Sequence, residues 1–76
     1  MDKKQFLGNL KDELELECEI NLETNLKELD EWDSVLAMVL IGFVLDNFGV
    51  TLNADDLNEM NSINSLLDII GQEKFL

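Results

Sequence analysis

The chain has 76 residues, of which 17 are Asp or Glu and 5 are Lys, for a formal net charge of −12 at pH 7. His, Arg, Tyr and Pro are absent, which removes an imidazole base, a phenolic acid and a guanidinium clamp from any catalytic scheme. So few cations also exclude the clustered contacts that nucleic-acid phosphates require, and the length fits one small domain over residues 1–76 without a conventional substrate cleft.

Phe6, Leu7, Leu10 and Leu14 recur at three- and four-residue spacing, which predicts a helix over about residues 2–17 with one apolar stripe. Residues 18–32 then read as a long connection. Asn21, Thr24 and Asn25 favour turns, while Leu22, Leu26 and Leu29 recur as anchors that argue against disorder. Within it, Cys18 has no partner for an internal disulfide, points to a reducing compartment, and reads as a small hydrophobe.

Asp33-Ser34 supplies two preferred N-cap residue types for a second helix that runs to Asn47 or Phe48, with Gly49 suited to the left-handed residue that ends it. A short third helix follows, capped by Asn53 and carrying Asp55 and Asp56 in its first turn. The fourth starts at Ser62, and Ile63, Leu66, Leu67 and Ile70 stand at i, i+3, i+4 and i+7 before Gly71. No strand is called for. The reading is an all-α small four-helix bundle, three longer helices and a short third, with a long loop between helices 1 and 2. Its expected core is Phe6, Leu10, Leu14, Leu26, Leu40, Ile41, Val44, Phe48, Leu52, Ile63, Leu66, Leu67 and Ile70.

The longest apolar run, Val35 to Leu45, is 11 residues interrupted by Gly42, short of the ~20 needed to span a bilayer. No signal-peptide pattern opens the chain. A cytoplasmic monomer is the simplest expectation.

Self-contained catalysis finds no support. Ser34, Ser62 and Ser65 lack a base, and a paired-carboxylate hydrolase would need a walled cleft. The acidic clusters at Asp30, Glu31 and Asp33 and at Asp55, Asp56 and Glu59 do not match the calcium-loop spacing, so a solvated acidic surface is expected and no metal site.

The stretch Leu29-Asp30-Glu31-Trp32-Asp33-Ser34-Val35, followed by Leu40-Ile41 and Asp46-Asn47-Phe48-Gly49-Val50, resembles the acyl carrier protein family in its Trp-Asp-Ser variant. Helix order and loop lengths extend the resemblance over nearly the whole chain. It implies that Ser34 receives 4'-phosphopantetheine through a phosphodiester, and that Asp33 both caps the helix and helps place the modifying enzyme's metal. The implied partners are a phosphopantetheinyl transferase, an acyl-loading ligase or acyltransferase, and downstream acyl-using enzymes, with acyl chains held as thioesters on the arm. A pocket lined by the second and third helices would shelter them. Read without the resemblance, Ser34 is a plain N-cap, and Trp32 reads as a loop anchor packed on the core. The alternative function is an unmodified helical interaction module with a carrier-like fold.

One feature departs from the family. The second helix is apolar nearly all round, where many relatives carry several acids on its outer arc. At 100° per residue, Ala37, Ile41, Val44 and Phe48 point one way, with Leu40 nearby, and Val35, Leu36, Val39, Phe43 and Asp46 the other. Either helix 1 and the long loop cover that second arc, or it stays exposed beside Ser34 as a docking surface. The expected partner interface is Val35, Leu36, Val39, Phe43, Asp46, Asp55 and Asp56. The sparse acids on this helix favour a specialised biosynthetic pathway.

Overall fold

The computed structural model describes residues 1–75, and these form four α-helices and no strand. Helix α1 spans Lys3–Glu13, α2 Ser34–Phe48, α3 Ala54–Glu59 and α4 Ile63–Ile70, with 3-10 turns at Leu26–Glu28 and Gln72–Lys74. The all-helical bundle expected from the sequence is therefore the fold.

Each α-helix starts on a polar cap. The Gln5 N–H donates to Asp2 Oδ1 at 2.7 Å, and Gln5 Oε1 accepts from the Asp2 N–H in return. Asn53 with Asp56 and Ser62 with Ser65 form the same reciprocal box at α3 and α4. Asp33 caps α2 by accepting from the Leu36 N–H at 2.9 Å.

Helix α1 stops four residues before the sequence pattern suggests. Glu15 takes a left-handed backbone with φ 54°, its N–H donating to the Asp12 carbonyl at 3.2 Å and the Leu16 N–H to the Lys11 carbonyl at 3.0 Å. These two bonds define a Schellman stop. The position usually falls to Gly, so a Glu there leaves no breaker to read. The reversal turns both Leu14 and Leu16 into the core.

The long connection is tied down at two places. The Ile63 and Asn64 N–H groups, at the start of α4, donate to the carbonyls of Thr24 and Leu22, each at 2.8 Å. Two helix-end donors that would otherwise lack partners are thereby satisfied by the loop. Lys27 Nζ also donates to the Asn58 carbonyl at 3.0 Å, tying the loop to α3. Leu26 is buried, and Leu22, Leu29 and Trp32 are half-buried against the core, in keeping with their role as anchors.

The core joins Phe6, Leu10 and Leu14 with Leu40, Phe43 and Val44 of α2 and the inward stripe of α4. All four phenylalanines gather at one end. Phe6 lies 5.7 Å from Phe43, 5.9 Å from Phe48 and 5.3 Å from Phe75, the last edge-to-face. Two expected core residues, Ile41 and Phe48, are only partly buried, and Leu16, Phe43, Met60 and Phe75 join the core without having been expected there. The Ile41 and Phe43 corrections share one cause. Because α2 is apolar on nearly every side, its periodicity points in no direction, and the contact with Phe6 on α1 decides which side turns in.

Candidate functional site

Ser34 is the first residue of α2 and is exposed, at the end of the helix away from the phenylalanine cluster. Among the described residues its hydroxyl makes no hydrogen bond to the chain, and the N–H groups of Ser34 and Val35 meet no protein acceptor. Asp33 is occupied one step along, holding the Leu36 N–H. A free hydroxyl thus sits beside uncommitted donors at the positive end of a 15-residue helix dipole. That chemistry suits an oxygen carrying a phosphate. Asp30, Glu31 and Asp33 are all exposed around it, and Glu31 Oε2 accepts from the Glu17 N–H at 3.4 Å.

The other expected site residues divide. Val35, Asp46 and Asp55 are exposed, while Leu36 and Val39 are partly covered by the core. Phe43 is 7% exposed and packs at a tilt against Phe6, so it is a core residue and offers no surface to a partner. Asp56 is half-buried, its carboxylate accepting from the Asn53 N–H at 3.1 Å, which makes it the reciprocal partner of the Asn53 cap of α3.

Two exposed side chains escaped the sequence reading. Met38 is 71% exposed and Leu45 46%, alongside Val35 at 61%. The outward face of α2 is thus rotated from the arc expected, towards Met38 and Leu45. No local signal marks them: Met38 has apolar neighbours on both sides, and Leu45, between Val44 and Asp46, belongs to a helix that is apolar nearly all round.

Among the described residues no group of three or more His, Cys, Asp or Glu is placed to hold a metal ion. A surface groove of about 280 Å³ is lined by Lys4, Leu7, Gly8, Lys11, Glu19 and Ile20. None of its walls comes from α2 or α3, where an acyl pocket was expected. At its edge Lys11 Nζ lies 2.7 Å from Glu19 Oε1. The shared hydrogen bond raises the Lys11 pKa and lowers that of Glu19. No helix among the described residues is long and apolar enough to cross a membrane.

An all-helical domain with an accessible serine at a helix tip has the form of a carrier. Comparison with known families bears this out: residues 4–70 match the model for the phosphopantetheine attachment site. The chain belongs to that family, and so binds 4'-phosphopantetheine covalently and serves as a phosphopantetheine carrier, not a catalyst. No curated protein and no solved structure matches it. The residues at the tip of α2 fit the group, since an unengaged hydroxyl, free backbone donors and an open approach occur together there.

Proposed function

We propose that Ser34 is the attachment residue and that the protein is an acyl carrier serving separate enzymes in a specialised biosynthetic pathway. The observation that carries this reading is the exposed, unengaged Ser34 hydroxyl at the start of α2 in a chain that matches the attachment-site family. When bound, the arm supplies a terminal thiol that carries acyl groups as thioesters.

The chain's own residues prepare the attachment point and leave the chemistry to others. Asp33 fixes the first turn by holding the Leu36 N–H, so Ser34 projects from a rigid helix end. The N–H groups of Ser34 and Val35 meet no protein acceptor among the described residues and would be free to donate to a phosphodiester on Ser34. Ser34 has no base of its own, and a phosphopantetheinyl transferase with its magnesium provides that activation, Asp33 helping to place the metal. Val35 and Asp46 on α2 and Asp55 on α3 are exposed for partner contact, with Leu36 and Val39 at the margin. The acids attract partners with basic surfaces.

Intact-mass measurement after incubation with coenzyme A and a broad-specificity phosphopantetheinyl transferase tests the assignment. The expected result is a mass gain in the natural chain and none in Ser34→Ala. No gain in the natural chain favours the unmodified interaction module, and a gain that survives Ser34→Ala moves the attachment elsewhere.

A further inference from the structure

The groove against α1 brings together apolar walls, cations and a glycine. Lys4, Leu7, Gly8 and Lys11 are spaced to share one side of the helix, and Glu19 and Ile20 of the long connection form the facing wall. Leu7 and Ile20 pack on the core yet are only half-buried, so part of their surface lines the groove. Gly8 lies mid-helix, where glycine weakens a helix relative to alanine. Its φ is not positive, and a Cβ built on it would meet nothing within 4 Å. Nothing inside the chain therefore requires glycine here, and the missing side chain keeps the groove open between Lys4 and Lys11.

The chain has 5 lysines against 17 acids, and two of those lysines, Lys4 and Lys11, line this one groove. Lys11 is committed to Glu19 at 2.7 Å. Lys4 is exposed and, among the described residues, its ammonium makes no ion pair or hydrogen bond. An uncommitted ammonium beside apolar surface suits a ligand with an anionic head and an aliphatic tail. The volume of about 280 Å³ falls just under the roughly 300–1,000 Å³ of drug-sized ligand sites, so the ligand is small.

We propose that this groove binds a free medium-chain aliphatic monocarboxylate, its tail on Leu7, Gly8 and Ile20 and its carboxylate on the Lys4 ammonium. The site is built from α1 and the long connection, apart from Ser34 and from the surfaces of α2 and α3, and it needs no arm on the chain. Glu19 neutralises Lys11 and leaves one cation free, which matches a single negative charge on the ligand.

Amide chemical shifts of the full apo chain, titrated with octanoate, test it. Saturable shifts are expected at Leu7, Gly8 and Ile20 with a Kd of about 1 mM, in the range open to a ligand of about ten non-hydrogen atoms. Acetate lacks the tail and is expected to bind these residues about tenfold more weakly or worse. Octylammonium reverses the charge and is expected to bind them at least about threefold more weakly. Gly8→Leu fills the groove and should raise the octanoate Kd about tenfold or more, with a Tm equal to or above that of the natural chain. Lys4→Gln should raise it about threefold, the worth of one exposed charge contact. The absence of saturable shifts in the natural chain at about 10 mM octanoate, ten times the expected Kd, overturns the proposal. Equal octanoate affinity in Gly8→Leu, or octylammonium binding as tightly as octanoate, also overturns it. So does a dimer of the apo chain that Gly8→Leu dissociates, which gives the groove to a second copy.

Discussion

The ring of Phe43 on α2 lies 5.7 Å from that of Phe6 on α1, the two planes inclined at 58°. This one pairing orients α2. With Phe43 turned in, Leu40 and Val44 follow it into the core, and Val35, Met38 and Leu45 are left facing solvent. The face beside Ser34 is thus set by a contact at the far end of the helix.

Phe43→Ala is expected to destabilise the fold by about 3–5 kcal/mol, the cost of emptying a packed aromatic site. Met38→Ala, on the exposed side, should change stability by no more than about 0.5 kcal/mol. Urea midpoints at constant m-value measure both. A Phe43→Ala chain as stable as the natural one would mean that the helix packs by a different face.

Glu15 offers a gain. A side chain in the left-handed region costs roughly 1 kcal/mol that glycine does not incur, so Glu15→Gly should stabilise the protein by about that amount. Gly49, at φ 69°, is the reverse case, and Gly49→Ala should destabilise by about 1 kcal/mol. Thermal or chemical denaturation of the two variants reads the opposite signs directly.

Asp33 has two roles that one pair of variants separates. Asp33→Ala removes the cap and should cost about 1 kcal/mol, whereas Asp33→Asn keeps an acceptor for the Leu36 N–H and nearly all the stability. Both are expected to slow transfer of the arm, because both lack the carboxylate proposed to assist the transferase's metal. Denaturation and the initial rate of mass gain, measured on each, check the two roles independently.

Added sodium chloride should raise Tm, because screening relieves the self-repulsion of a chain with a net charge of −12. The Lys11–Glu19 pair works against this trend only weakly, being exposed. Its pH dependence has a definite sign. Glu19 is lowered from the usual 4.5, so its contribution is present above that value and lost as pH falls through the folded pKa. Lys11 is raised from 10.5, so its contribution is present below that value and lost as pH rises through the folded pKa. Tm across a salt series at neutral pH, then across pH at fixed salt, tests both statements.

Much of this was legible in the chain because the signals are local. Asp33, Asn53 and Ser62 are polar residues placed where helix donors need acceptors, and Gly49 sits where a positive φ is needed. Helix α4 sets its polar residues Asn64, Ser65 and Asp68 apart from its apolar ones, so its buried stripe of Ile63, Leu66, Leu67 and Ile70 is written in its spacing. The end of α1 was hidden because Glu15 occupies a backbone state that its side chain does not advertise.

By itself, then, the amino-acid sequence determined four helical segments, their order, the caps of the last three, and a serine at the tip of the second in an acidic surround. Only tertiary packing decided which side of α2 is buried. A helix apolar in nearly every direction has no preferred inward face until a neighbour supplies one, and the ring of Phe6 does so by taking up Phe43.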